Sequence, residues 1–150
     1  MLVYRICKER YASDLSGEGA KRFGGRWNKP GVPMVYTSHM ASLAVLELMV
    51  HFKREEILFP FVISCIEVDA AVAVIEEVSL PQNWSVPERS NMLCGIANDW
   101  IRQGKTVALA VPSVILPIEQ NILLNPEHSD FKKVKIKWQR HFYFDERYFK

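Results

Sequence analysis

The chain has 150 residues, 49% of them hydrophobic, and a formal net charge of +2. That length and apolar share predict one compact domain over residues 1–150 with its own core, and so small a charge argues by itself for neither nucleic acid nor an anionic membrane as partner. Cys7, Cys65 and Cys94 are odd in number and form no C-x-x-C pair, which gives neither a disulfide framework nor a zinc site; with no apolar leader and no run of about 18 apolar residues, a cytoplasmic protein is expected.

In chain order, MLVYRIC reads as an opening strand, rich in β-branched and aromatic residues. A Gly-rich stretch follows and runs into PMVYTS, a second short strand whose Ser38 is placed to cap a helix. His39 to Phe52 contains strong helix formers and neither Gly nor Pro, so a helix is predicted there. ILFPFVISCIEV and AAVAVIEEV read as strands, with Pro60 marking an edge position or a bulge. Ser85 and Glu88 have capping-box spacing and Gly104 is a helix-ending glycine, which predicts a second helix between them. KTVALAVPSVIL reads as a strand pair broken at Pro112. From Phe131 to Phe144, Lys133, Lys135 and Lys137 alternate with Val134, Ile136 and Trp138, the pattern of a half-buried strand. A few helices among many short strands, without regular βαβ alternation, predict an α+β domain with mixed or antiparallel sheets.

Gly17, Gly19, Gly24, Gly25 and Gly31 are five of the chain's seven glycines, and Arg26 stands directly after the Gly24-Gly25 pair. Glycines let backbone N–H groups approach an anion, and an arginine adds a planar fork of donors for phosphate. Two specific nucleotide motifs fail. Arg22 stands where G-x-G-x-x-G needs its third glycine, and Gly25-Arg26 replaces the Lys-Ser/Thr of a P-loop. A generic anion-binding loop and a plain twisted loop with Arg26 paired to a surface acid fit the residue chemistry equally well.

The next helix adds a constraint. Glu47 is its only carboxylate, set among Leu43, Ala44, Leu46, Leu48, Met49 and Val50. A helix apolar on nearly every face is largely buried, which would aim Glu47 into the protein or a cleft. Such a carboxylate is paired, coordinated or neutralised. The bland outcome is a salt bridge to Arg5 or Arg26, and the functional one is a carboxylate facing a cationic reaction centre.

The segment GEGAKRFGGRWNKPGVPMVYTSHMASLAVLELMVH resembles the signature of RES-domain proteins, the toxin halves of RES–Xre toxin–antitoxin pairs. It has the Gly-rich loop with G-G-R-W-N, the strand ending V-Y-x-S and the helix with L-A-x-L-E, while VPSVILPIEQNILLNPEH is similar to the family's second block. The resemblance implies an ADP-ribosyltransferase-like fold and an enzyme that consumes NAD⁺ as substrate, by hydrolysis or with inorganic phosphate as co-substrate, and needs no further cofactor or metal. It implies Arg26, Tyr36 and Glu47 as catalytic positions, with Ser113 and Asn125 joining Arg26 and Tyr36 in binding substrate; Asn121 is the neighbouring alternative to Asn125. It also implies an Xre-type helix-turn-helix antitoxin as partner and a dimer within that complex.

These residue types suit the reaction. NAD⁺ carries a pyridinium, so nicotinamide leaves neutral and needs no proton donor, and the second carboxylate of a glycosidase can be absent. The ribosyl cation wants one negative charge, for which Glu47 serves, and a bidentate arginine such as Arg26 suits a pyrophosphate. Tyr36 offers a flat face and a hydroxyl, and Ser113 a hydroxyl, although alone each reads as a strand aromatic and a turn residue. Protein ADP-ribosylation is a second possible outcome of the same chemistry. A third reading, nucleic-acid binding through the lysines of the tail, competes with the simple alternation of a half-exposed strand. His39, His51, His128 and His141 stand in no catalytic motif.

Overall fold

The computed structural model describes residues 1–149, apart from the side chains of Arg54 and Ile57. Its strands are β1 (Leu2–Lys8), β2 (Val35–Ser38), β3 (Phe61–Val68), β4 (Val72–Val74), β5 (Ala108–Pro112), β6 (Gln120–Leu124) and β7 (Val134–Phe142). Three α-helices, α1 (Glu18–Phe23), α2 (Ala41–Met49) and α3 (Ser90–Gln103), and several short 3-10 turns complete the chain.

The strands form one sheet in the order β4-β5-β6-β2-β1-β3-β7. Only β4 and β5 run parallel; the other neighbours are antiparallel. β1 and β3 pair along their whole lengths, from Leu2 opposite Glu67 to Lys8 opposite Phe61. β1 and β2 meet only where Tyr4 stands opposite Ser38. The sheet therefore forks at its middle, into a β4-β5-β6-β2 half and a β1-β3-β7 half.

One face of the sheet carries a core that runs across the fork, with Val3, Val35, Ile66, Ile122 and Leu124 all buried. The other face is divided. Leu109, Val111 and Leu123 pack with Leu93, Ala97 and Trp100 of α3. Ile6 and Phe61 pack with Ala44 of α2, and Phe52, just past α2, lies against the rings of Phe61 and Phe144 at centroid distances of 5.7 and 4.5 Å. Because side chains alternate along a strand, β5 supplies both faces at once, and all five of its residues are buried. Two helices on one face, each serving one half of a forked sheet, leave a cleft between them.

Several sequence expectations change for identifiable reasons. Ser38 does not cap α2, whose N-cap is Met40 without a side-chain bond; Ser38 ends β2 and donates across the sheet instead. The Ser85–Glu88 box does not form, because a 3-10 turn over Pro87–Arg89 precedes α3. Gly104 does close α3, in the left-handed conformation at φ 59°. Pro60 lies just before β3, an interior strand, so its missing N–H disturbs no ladder, and its carbonyl accepts the Glu9 N–H. The strand expected after Pro112 is a turn, and β6 begins at Gln120. In β7 a register shift opposite Cys65 and Ile66 breaks the alternation, leaving Val134 buried and Trp138 38% exposed. α2 is also less buried than its composition implies, with Leu46 41% exposed and Val50, the residue that caps its C-terminus, 58%.

The Gly-rich stretch contains α1, which the glycine content conceals. Gly17 precedes it at φ +72°, and a Cβ there would lie 2.6 Å from the Met34 backbone nitrogen. Gly17→Ala should therefore lower stability by about 1–3 kcal/mol, since both the left-handed backbone and the contact oppose a side chain. Gly19, inside α1, has nothing within 4 Å of an added Cβ. Gly19→Ala should leave stability unchanged or raise it by up to about 1 kcal/mol. Urea unfolding of the two variants checks both signs.

Candidate functional site

The fork opens into a cleft of about 570 Å³ lined from both halves of the sheet, by Tyr4 and Arg5 of β1 and by Tyr36 and Ser38 of β2. The Gly-rich loop forms one wall and α2, through Ala44, Glu47 and Leu48, another. Strand register explains the grouping. Ser38 stands opposite Asn121, and Asn121 opposite Val111, so these side chains share one face of β2, β6 and β5. Ser113, two residues past Val111, continues that face beyond the end of β5.

Glu47 meets these residues from above. The Ser113 hydroxyl donates to Glu47 Oε1 at 2.8 Å, and the Asn121 side-chain amide donates to the same oxygen. The direction of the first bond is fixed, because Ser113 Oγ already accepts the N–H groups of Ile115 and Leu116, both at 3.1 Å. Asn121 is oriented in turn by the Ser38 hydroxyl, which donates to its Oδ1 at 2.7 Å. Both donors use Oε1, and Oε2 takes no hydrogen bond among the described residues. No salt bridge ties Glu47 to Arg5 or Arg26 among those residues. A half-buried carboxylate on the cleft wall is thus held by one oxygen and offers the other.

The opposite wall is held by Asn28, a buried residue. Its amide donates to the carbonyls of Ala20 at 2.8 Å and Val32 at 2.9 Å, and its Oδ1 accepts the Tyr36 hydroxyl at 2.7 Å. The same hydroxyl accepts the Trp27 N–H at 3.1 Å. Gly25 is required beside it, since an added Cβ would stand 2.6 Å from the Tyr36 oxygen. Burial pushes the Tyr36 phenol well above its ordinary pKa, and the hydrogen bond from Trp27 only partly opposes this. The hydroxyl expected to orient a substrate is therefore committed to the loop, and what Tyr36 presents to the cleft is its ring.

Arg26 lines the cleft and is half-buried. One of its guanidinium nitrogens donates to the Ser85 carbonyl at 2.9 Å, while Ser90 Oγ and Cys94 Sγ of α3 donate to its backbone carbonyl at 3.4 and 3.5 Å. Among the described residues it has no carboxylate partner, so the paired-loop alternative does not hold. Arg5, unassigned by the motif, enters the cleft wall from β1 and donates to the Asp14 carbonyl at 2.6 Å.

Of the residues singled out from the sequence, Arg26, Tyr36 and Glu47 line this cleft, and Ser113 is joined to Glu47 beneath it. Asn125 is not among them. It lies past the other end of β6 from Asn121, and its Oδ1 accepts the Glu127 N–H at 3.0 Å in a local turn. Asn121 is the asparagine that reaches Glu47. Ser38 and Asn28 were missed as site residues, because a serine before a helix reads as a cap and an asparagine near Gly and Pro reads as a turn. Of the tail's lysines, Lys133 ends the 3-10 turn over Ser129–Lys133, while Lys135 and Lys137 lie on β7, an edge strand, where Lys137 pairs with Glu67 at 3.3 Å. Charged side chains on such an edge discourage pairing with another sheet, which accounts for them without a nucleic acid. No group of three or more His, Cys, Asp or Glu among the described residues is placed to hold a metal ion. Nor is any helix among them long and apolar enough to cross a membrane.

The sequence model of the RES domain matches residues 2–145. The chain belongs to the RES domain family. Among curated RES relatives it is 38% identical over 135 residues to "Toxin Res" of Photorhabdus laumondii, covering 89% of this chain and 86% of that protein. It is also 38% identical over 140 residues to the "Prs ADP-ribosylating toxin" of Sphingobium sp., covering 91% and 87%. Among solved structures, the M. tuberculosis MbcT–MbcA toxin–antitoxin complex contains a chain that superposes with a TM-score of 0.78 at 18% identity, over 95% of this chain and 84% of that one. The forked sheet with its few helices is thus the ADP-ribosyltransferase-like fold.

In this RES domain the Tyr36 hydroxyl ties loop to sheet. Tyr36→Phe should cost about 1–3 kcal/mol by leaving the Trp27 N–H and Asn28 Oδ1 short of a partner. The native phenol holds its proton at a pH where the unfolded phenol, near 10.0, has lost it. The native state then binds more protons, so stability falls as pH rises above that value. Urea midpoints measured across alkaline pH should fall less steeply for Tyr36→Phe than for the native chain.

Proposed function

We propose that the chain is the toxin of a toxin–antitoxin pair and that it destroys NAD⁺ by cleaving the nicotinamide–ribose bond. The observation that carries this reading is Glu47, held through Oε1 by Ser113 and Asn121 with Oε2 left for a reacting centre, across a cleft from Arg26. The curated relatives named as toxins support the biological role, and one of them is named for ADP-ribosylation, a chemistry that begins with the same bond.

The chemistry follows from what each group offers. When the C1′–N bond breaks, its electron pair goes to the nicotinamide nitrogen, which becomes neutral. Positive charge then grows on C1′ and the ring oxygen, and Glu47 is the negative charge that stabilises it. Ser113 and Asn121 fix the carboxylate before the reaction, so little reorganisation is needed in the transition state. Arg26 holds the pyrophosphate with the donors not engaged by Ser85, and the ring of Tyr36 supports the nicotinamide or its ribose. Water or inorganic phosphate then adds to C1′, losing a proton to Glu47 or solvent and giving ADP-ribose or its phosphate ester. NAD⁺ is substrate throughout, and no further cofactor is required. An Xre-type antitoxin covering the cleft would stop the reaction by excluding NAD⁺.

Transfer to a protein is the second reading, favoured by the name of the Sphingobium relative. Labelled NAD⁺ separates the two. Label in free ADP-ribose or its phosphate ester supports degradation, and label retained on a macromolecule supports transfer.

Purified protein should release nicotinamide from NAD⁺, and Glu47→Ala should slow the release by about 10²–10³-fold while the protein remains folded. Equal rates for the two proteins would remove Glu47 from the mechanism, and no release by either would remove the reading. Asn121→Ala should slow the reaction as well, by about tenfold for one lost hydrogen bond to a charged group.

A further inference from the structure

Phe23 is 84% exposed, yet it lines the cleft. It does not owe that exposure to a loose backbone. It ends α1, where Gly24 N–H donates to the Ala20 carbonyl at 2.8 Å and Gly31 N–H to the Lys21 carbonyl at 2.7 Å. The Asn28 amide adds a second bond to the Ala20 carbonyl. Gly24 turns the chain at φ 72° and ψ 177°, and a Cβ there would stand 2.9 Å from Pro30 Cδ. The last turn of α1 is thus pinned, and it displays an aromatic ring to solvent on the wall of the cleft. Four residues later Trp27 is only 3% exposed, so the fold had a buried place for one ring of this loop and left the other out.

The position of Phe23 relative to the other groups gives it a partner. A continuous series of contacts runs from Glu47 to Asn121 and Ser38, along β2 to Tyr36, and from the Tyr36 hydroxyl to the loop at Trp27 and Asn28, directly after Arg26. Phe23 stands three residues before Arg26 in the same loop, and both line the cleft that Glu47 lines. A dinucleotide carries its pyrophosphate between the reacting ribose and adenosine, so a ring on the loop whose arginine holds the pyrophosphate is a natural partner for the base.

We propose that Phe23 is the stacking platform for the adenine of the dinucleotide and so a specificity-determining residue that favours dinucleotides over nicotinamide mononucleotide; this rests on the NAD⁺ reading above. Adenine presents a flat face that an aromatic ring binds without any hydrogen-bond donor. Stacking on a ring open to solvent also lets the base enter and leave without a lid. The ring carries no role in bond cleavage, and its effect is confined to ligands that contain the base.

Calorimetry in the Glu47→Gln background tests this, with ADP-ribose as the ligand that contains adenine and nicotinamide mononucleotide as the ligand that lacks it. Adding Phe23→Ala should weaken ADP-ribose by about 5- to 150-fold, the range for loss of one base–aromatic stack. Nicotinamide mononucleotide should bind within about twofold of its former strength, and Phe23→Trp should restore ADP-ribose binding. Unchanged ADP-ribose binding in Phe23→Ala would overturn the proposal, as would equal weakening of both ligands, or loss of only a partner protein's binding. Nicotinamide release by the chain with Phe23 intact reports on the NAD⁺ reading separately. Release without any effect of Phe23→Ala on ADP-ribose sinks the platform alone, whereas no release sinks the reading beneath it.

Discussion

The side-chain amide of Asn121 joins the two parts of the molecule on which everything else depends. It receives the Ser38 hydroxyl from β2 and donates to Glu47 on α2, just beside the one place where β1 and β2 pair. At a sheet's centre such polar groups would normally be replaced by apolar ones, because burying an unpaired amide or carboxylate is costly. Here each group on Glu47 Oε1 has a partner, and the partners have partners. Ser113 cannot turn its proton elsewhere, since two backbone N–H groups occupy its oxygen. A network satisfied to this degree orients the carboxylate from β2 and β6, through Ser38 and Asn121, and from Ser113 just past the end of β5.

The fork in the sheet and the loop beside it are complementary. Two helices cover one face, and the gap between them would expose the strand edges if nothing filled it. The Gly-rich loop fills part of that gap while keeping its backbone close to the sheet, which only residues without Cβ permit at Gly17 and Gly25. Asn28 and Tyr36 then lock the loop to β2 and to α1. Glycine at these points serves close approach rather than mobility. The wall that carries Arg26 is as fixed as the wall that carries Glu47, and a pre-formed cleft between fixed walls is what electrostatic stabilisation of a developing charge requires.

Much of this was legible in the residues. Glu47 stands out as the single carboxylate in an apolar helix, and Arg26 through its glycines, independently of any family likeness. Local patterns also found most of the strands, because alternation and β-branched content reflect burial on a sheet. What failed was long-range. Ser38 looked like a cap because a helix follows it, and only the register with Asn121 gives it another partner. Asn121 and Asn125 are four residues apart with similar surroundings in sequence, and the end of β6 at Leu124 separates them. The apolar composition of α2 predicts a largely buried helix, whereas Leu46 stands on a side that faces out. Phe23 had no signal at all, since an aromatic beside glycines is expected to be inside.

In the proposed mechanism the reacting ribose lies at Glu47 and the pyrophosphate at Arg26. A crystal structure of the Glu47→Gln variant bound to NAD⁺ is the decisive measurement. The nicotinamide-bearing C1′ should be in contact with the side chain at position 47, with phosphate oxygens hydrogen-bonded to Arg26. A dinucleotide bound with its pyrophosphate away from Arg26, or with C1′ out of reach of position 47, would contradict it.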